Sequence, residues 1–125
     1  MNILLDTHVL IWALENSPTL SEAARSAIIC GENLVFVSSA SIWEIGIKVS
    51  LGKLKVPDNL QEELKIHRFT PLPITHQHAE LAAQLPPIHK DPFDRMLIAQ
   101  ANSENLTLIT RDEQIYKYDV STLPA

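Results

Sequence analysis

Four acidic residues attract attention because each lies where an apolar segment gives way to a helical one. They are Asp6, Glu44, Asp94 and Asp112. Carboxylate oxygens are the ligands that hard divalent cations such as Mg²⁺ and Mn²⁺ prefer, and no paired His or Cys accompanies these acids. If the four side chains meet in space, they would form a binding site for such an ion.

Helix capping is a competing structural explanation for the same acids. Asp6 and Asp112 precede helical segments, and Ser41 followed by Glu44 has the spacing of a capping box. The segment Asp91–Asp94 places an acid and a proline in a first helical turn. The two roles are compatible, because a helix N-terminus stabilises the ionised carboxylate that a metal ligand requires. Spacing alone leaves both open.

Alternating strands and helices are predicted to position these acids. Strands are predicted at Asn2–Leu5, Leu34–Val37, Phe69–Ile74 (an edge strand, because of its two prolines), Leu106–Ile109 and around Val120. Helices are predicted at His8–Glu15, Ser21–Gly31, Ile42–Val49, Leu60–Ile66, Thr75–Leu85 and Arg95–Ser103, with a short turn after Asp112. This order predicts an α/β fold with a parallel sheet covered on both faces. Ligands bind beyond the carboxyl ends of such strands, where the four acids fall.

Composition fits one globular domain spanning residues 1–125. The chain is 46% hydrophobic and 20% charged, and no apolar run approaches the ~20 residues that span a bilayer. An acid at position six and the lack of a basic start argue against a secretory signal. Cys30 is the only cysteine, so no internal disulfide can form, and we expect its side chain to be buried. A cytoplasmic protein without a membrane partner is predicted.

The net charge of −5 argues at first against a nucleic-acid partner, because polyanion binders usually have a basic surface. Four metal-bound carboxylates would account for most of this charge and leave a remainder of −1. Composition therefore neither excludes nor supports RNA as a substrate.

Other candidate site residues have weaker support. The five histidines have no partners at ligand spacing and are predicted to be surface residues or hydrogen-bonded within the fold; His76 and His78, two apart in a predicted helix, point to different faces. No glycine-rich phosphate-binding loop is present among only three glycines. Trp12 and Trp43 lie on apolar helical faces and are predicted to pack in the core.

Four sequence blocks together resemble the PIN-domain family, and within it the VapC-type toxins of type II toxin–antitoxin systems. The blocks are LLDTHVLIW, VSSASIWEIGIK, HKDPFDRMLIAQA and LITRDEQI, in the family's order and spread over nearly the whole chain. One block alone would be weak evidence, whereas four in register are specific. The resemblance implies a Rossmann-like three-layer α/β/α sandwich and a Mg²⁺- or Mn²⁺-dependent ribonuclease.

The resemblance also assigns the acids to the family's metal-binding and catalytic positions. Asp6, Glu44, Asp94 and Asp112 match its first to fourth acids, and Thr110 matches a small hydroxyl residue before the fourth. Register favours Asp94 over Asp91, which is interpreted as a helix cap. The fourth position is the least regular one, and the adjacent Glu113 is an alternative to Asp112.

Three cations near the acids in sequence are candidate phosphate ligands. They are Lys48, Arg95 and Arg111, and the hydroxyl of Thr110 is a further candidate for substrate contact. Lys48 has an alternative role, since its position four residues after Glu44 allows an ion pair along one helix face. In the implied reaction, metal-activated water attacks an RNA phosphodiester in line, with one or two ions stabilising the phosphate and the leaving oxygen.

Two other functions fit parts of the pattern. An aspartate-nucleophile phosphatase also begins with an acid after its first strand, but it would need a second Asp at the position of His8. A catalytically silent domain of this fold would bind RNA or a partner without cleavage, although all four acids are still ionisable here.

The resemblance implies two protein partners, a second copy of the chain in a homodimer and a co-expressed antitoxin. The consecutive apolar residues Val9 to Trp12 give weaker support from the sequence, since a small domain has difficulty burying all of them and exposed apolar surface often marks an interface. The alternative is that this helix packs entirely within the core.

Overall fold

Five parallel strands form the centre of the computed structural model, which describes residues 1–125. They are β1 (Asn2–Leu5), β2 (Leu34–Ser38), β3 (Thr70–Leu72), β4 (Thr107–Thr110) and β5 (Thr122–Pro124). Their spatial order is β3-β2-β1-β4-β5. All four strand pairs are parallel, with Leu4 of β1 opposite Phe36 of β2 and Leu108 of β4. The predicted parallel sheet is confirmed, and β1 lies at its centre.

Six α-helices and one 3₁₀ turn connect the strands. They are α1 (Thr7–Leu14), α2 (Glu22–Ile29), α3 (Ser39–Ser50), α4 (Leu60–Ile66), α5 (His76–Gln84), α6 (Pro92–Glu104) and the 3₁₀ turn Ile115–Lys117. Each predicted helix is present. The last strand begins two residues after Val120, around which it was predicted.

The two faces of the sheet carry separate hydrophobic clusters, because successive residues of a strand point to opposite faces. Ile3 and Leu5 of β1 pack with Val9, Leu10 and other residues of the first cluster. Leu4 packs on the opposite face with residues of α6 and the 3₁₀ turn. Full burial of an aliphatic side chain contributes about 1.5–3 kcal/mol to the stability of the fold, so packing on both faces stabilises β1. The result is the expected α/β/α sandwich.

Two local details differ from the sequence-based expectations. Helix α3 begins at Ser39 with Ser38 as its N-cap, so the predicted capping box of Ser41 and Glu44 is wrong. The hydroxyl of Ser38 already accepts a hydrogen bond from the free backbone N–H of Ala40. Cys30 is exposed rather than buried, because it lies at the C-terminal end of α2 outside the core.

The apolar run in α1 packs mainly inside the protein. Val9 and Leu10 are fully buried, while Ile11 and Trp12 are partly buried against the same cluster. Exposed apolar side chains include Trp43 of α3, which is 64% exposed, and Leu51 directly after this helix, which is 61% exposed. The prediction that Trp43 packs in the core is therefore wrong, since the inner face of α3 is already filled by Ile45 and the buried Glu44.

Candidate metal and phosphate site

Asp6 is fixed at the carboxyl end of the central strand by the start of α1. Its Oδ1 accepts a hydrogen bond from the Val9 N–H at 2.9 Å, so the residue is an N-cap. Its Oδ2 accepts a bond from the Thr110 hydroxyl at 2.5 Å. Burial raises the pKa of Asp6 despite these bonds. The carboxylate is thus held rigidly where a neighbouring positive charge would stabilise its ionised form.

Glu44 is buried in the second turn of α3, and each of its oxygens has a partner. Thr7 donates to Oε1 at 2.7 Å, and Lys48 lies 2.8 Å from Oε2. Helical spacing explains the second contact, because residues four apart share one face. The alternative role considered for Lys48, an ion pair with Glu44, is present in the structure.

Asp91 and Asp94 have different roles at the start of α6. Asp91 is the N-cap, and its Oδ1 accepts from the backbone N–H groups of Phe93 at 2.8 Å and Asp94 at 3.1 Å. Pro92 follows at the first helical position, where its missing N–H costs nothing. Asp94 is left free to project into the site, which agrees with the interpretation of Asp91 as a cap.

Asp112 completes the acidic cluster just after β4. Its Oδ1 accepts from the Gln114 N–H at 2.8 Å, and its own N–H donates to Thr110 Oγ1 at 3.1 Å. Burial acts to raise the pKa of Asp112, but the Gln114 bond and nearby His89 outweigh it, and the pKa lies below the usual value. The neighbouring Glu113 is exposed and does not line the cavity, so the geometry favours Asp112 as the fourth acid.

His89 joins the acidic cluster, although its sequence position gave no sign of this. Its Nε2 lies 2.9 Å from Asp94 Oδ2 and 3.0 Å from Asp112 Oδ2. The three ligand atoms lie within 4.8 Å of one another. The expectation that His89 has no ligand partners is wrong, because the fold turns its ring towards Asp94, five residues further on, and brings Asp112 to it from 23 residues away.

All four predicted acids line one cavity of about 370 Å³ beyond the carboxyl edge of the sheet. Asp91, His89, Lys48 and Arg111 also line it. A set of carboxylate oxygens with a single imidazole nitrogen is suited to binding a divalent cation.

The electrostatics of the cluster favour an added positive charge. Burial raises the pKa of Asp94 to about 7, and the nearby carboxylate of Asp91 adds to the rise. Asp6 and Asp112 contribute in the same direction, while His89 opposes it. A carboxyl group that resists ionisation beside other acids would be stabilised as an anion by a bound cation.

The residues predicted to contact substrate occupy different positions. Lys48 and Arg111 line the cavity, whereas Thr110 is fully buried and positions Asp6. Arg95 does not line the cavity, so a phosphate contact is not supported. Its guanidinium is occupied by backbone carbonyls, including those of Leu85 at 2.9 Å and His89 at 3.3 Å.

Arg95 instead helps to hold the loop that carries His89 in position. Besides donating to the His89 carbonyl, it donates to Pro86 O at 3.0 Å. The Tyr118 hydroxyl accepts from the His89 N–H at 2.8 Å and donates to Pro86 O at 2.6 Å. These contacts hold the loop before α6 in place, so His89 is positioned by the nearby Arg95 and by the sequence-distant Tyr118.

Comparisons with known proteins agree with this architecture. VapBC2 from Rickettsia felis, in a structure bound to a promoter DNA fragment, matches with a TM-score of 0.75 and 17% identity over 100% of this chain and 99% of that one. FitAcB from Neisseria gonorrhoeae matches with a TM-score of 0.65 and 23% identity over 97% and 96%. VapBC-1 from nontypeable Haemophilus influenzae matches with a TM-score of 0.65 and 21% identity over 99% and 98%.

No curated protein matches the chain. None of its helices has the length and apolar character needed to cross a membrane. The model of the PIN domain matches residues 3–121, which is nearly the whole chain. The chain therefore belongs to the PIN domain family.

Proposed function

We propose that this protein is a Mg²⁺- or Mn²⁺-dependent ribonuclease and the toxin component of a toxin–antitoxin pair. The observation that carries the proposal is the meeting of Asp6, Glu44, Asp94 and Asp112 in one cavity. Membership of the PIN domain family, and likeness to chains from toxin–antitoxin complexes, support the same conclusion.

The four acids would hold one or two divalent cations. A bound ion supplies activation of water and stabilisation of charge on the phosphodiester. Thr110 and Thr7 orient two of the carboxylates through hydrogen bonds. Arg111 and Lys48 place positive charge on the cavity wall, where it would attract the phosphate backbone.

The two alternative functions have less support. An aspartate-nucleophile phosphatase would need an acid at position 8, and the exposed ring of His8 occupies that part of the cavity wall. A silent domain would have no use for four carboxylates held at one site against their mutual repulsion. Hydrolysis explains the arrangement better.

We also propose that the protein acts in the cytoplasm with two partners, a second copy of itself and an antitoxin. The solved structures similar to it include a toxin–antitoxin complex from Klebsiella pneumoniae. The exposed apolar side chains Trp43, Ile47 and Leu51 follow each other at four-residue intervals along α3 and its C-cap. Such a stripe is a suitable surface for a protein partner.

RNA cleavage by purified protein tests the enzyme. Mg²⁺ or Mn²⁺ should support cleavage, EDTA should stop it, and restored metal should recover it. Asp6→Asn should remove the activity, whereas Glu113→Gln, which changes an exposed acid outside the cavity, should retain it. Cleavage that persists in EDTA, or an active Asp6→Asn protein, would contradict the proposal.

Bacterial expression tests the biological role. The wild-type chain alone should arrest growth, and co-expression of the small reading frame adjacent to its gene should relieve the arrest. The Asp6→Asn protein should be harmless. Harmless expression of an active, folded wild-type protein would refute the toxin role and leave the nuclease assignment intact.

A further inference from the structure

We propose that His8 and Trp12 form a stacking site for an unpaired RNA base next to the cleaved phosphate. The inference rests on the proposed ribonuclease function, and it specifies the substrate as single-stranded at this point. Both rings line the cavity that also holds the four acids, and the two rings will be called the aromatic wall.

The aromatic wall is produced by helical spacing. His8 and Trp12 are four residues apart in α1, so their side chains lie on one face of the helix. The ring centroids are 6.0 Å apart and the planes differ by 24°, which is a stacked arrangement. Both residues line the cavity that contains Asp6. A base stacked there would carry its phosphate close to the carboxylates.

Arg111 packs against the Trp12 ring of the aromatic wall. Its guanidinium carbon lies 4.6 Å from the centroid of the Trp12 ring, a cation–π distance. The guanidinium is held in place by the Ala125 carbonyl, with Nη2 2.6 Å away, and by the Thr19 carbonyl. Arg111 therefore covers part of the Trp12 ring, whereas the ring of His8 is exposed and available to a base.

His8 presents the open end of the stack. Its side chain is exposed, and it forms no hydrogen bond or ion pair within the protein. Trp12 is partly buried against the core, which fixes the plane on which His8 rests. An exposed imidazole stacked on an anchored indole is a preformed flat surface, and bases stack on such surfaces irrespective of sequence.

The remaining lining of the cavity favours a nucleotide over a protein side chain. Trp12 is its only apolar member, and the other lining residues are polar or charged. An apolar side chain would desolvate the acids without compensating their charge. A nucleotide combines a flat base for the aromatic wall with a phosphate for a metal held by the acids and for Lys48. A base paired in a duplex has both faces stacked already, so only an unpaired base can use this surface.

Fluorescence of Trp12 provides a direct measurement. Trp43 is the only other tryptophan, so the Trp43→Phe protein reports on Trp12 alone. The probe is a short single-stranded RNA with phosphorothioate linkages that slow hydrolysis, titrated in the presence of Mg²⁺. Binding should quench the fluorescence of Trp12, and a duplex of the same sequence should bind more weakly.

Two variants at position 8 separate stacking from other roles of the imidazole. In the Trp43→Phe background, His8→Ala should weaken RNA binding about 5- to 100-fold, the range for loss of one base–aromatic stack. His8→Phe, which keeps a flat ring but has no proton to transfer, should restore binding. An RNA with an abasic nucleotide at the stacking position should bind the reference protein as weakly as the intact RNA binds His8→Ala.

The outcomes distinguish this inference from the proposed function. If His8→Ala and the abasic RNA leave affinity and quenching unchanged while metal-dependent cleavage is intact, the stacking site is refuted and the ribonuclease stands. Failure of His8→Phe to restore binding also refutes stacking. If the wild-type protein neither binds nor cleaves RNA, the ribonuclease assignment fails first.

Discussion

Replacing Asp94 by Asn should stabilise the metal-free protein, and more strongly as the pH rises. Burial is the main reason that the pKa of Asp94 is raised from 3.8 to about 7. The folded protein therefore holds this proton more tightly than the unfolded chain does. The contribution to stability is fully present below pH 4 and is lost as the pH rises through 7. Asn carries no charge at any pH, so the variant avoids the loss.

The size of the effect follows from the two pKa values. Each unit of difference corresponds to about 1.4 kcal/mol, so a rise of roughly three units gives about 4 kcal/mol as an upper value. The side chain of Asp94 is 19% exposed, and its titration is coupled to that of the neighbouring acids. Both effects reduce the expected change in the free energy of unfolding to about 2–4 kcal/mol.

Urea unfolding in EDTA at several pH values between 4 and 8 measures this effect. The free energy of unfolding of Asp94→Asn, relative to wild type, should increase by about 2–4 kcal/mol across this range. Glu113→Gln, at an exposed position, should show a difference within about 0.5 kcal/mol throughout. A flat difference for Asp94→Asn would refute the argument that a buried, unneutralised carboxylate is present. Added Mg²⁺ should stabilise the wild type more at pH 8 than at pH 6, because protons compete with the metal.

Three further predictions concern single residues. Asp6→Asn and Glu44→Gln should each abolish metal-dependent cleavage, because neutral amides bind hard cations poorly, and their circular dichroism spectra should be unchanged. Asp91→Asn should retain most of the activity, because Asn also caps helices. His89→Ala should weaken Mn²⁺ binding about 10- to 100-fold, measured by calorimetry, because it removes the group that links two carboxylates; unchanged affinity would count against this role. Arg95→Ala should lower the free energy of unfolding by about 1–3 kcal/mol through the carbonyls it leaves unpaired, and normal thermal stability would contradict the structural role.

Periodicity in the sequence determined the layers of the fold. Ile3, Leu4 and Leu5 are consecutive apolar residues, which is typical of a strand covered on both faces, and the strand that contains them is the central one. The prolines around Thr70–Leu72 identified an edge strand, because proline cannot donate a ladder hydrogen bond. Both features depend only on residues within one segment, so the sequence of that segment is sufficient to predict them.

The four acids were also identifiable from sequence, because parallel strands end at a common edge. Asp6 follows β1, and Asp112 follows β4, which lies beside it in the sheet. Asp91 and Asp94 were told apart by register, and the capping hydrogen bonds of Asp91 agree with that assignment. Position relative to strand ends therefore made the acids candidates, whereas the choice of Asp94 over Asp91 came from the resemblance to the PIN-domain family.

Only the tertiary structure decided which other side chains belong to the site. His89 reaches the acids from a loop that Arg95 and Tyr118 hold in place, and the contact with Tyr118 joins residues 29 positions apart, which no local pattern predicts. Arg95 adjoins Asp94, yet its long side chain turns to backbone carbonyls. Trp12 and Trp43 occupy similar apolar patterns, but one lines the cavity and the other is exposed. Local sequence fixes which helix face a side chain occupies, while the neighbouring elements determine what that face meets.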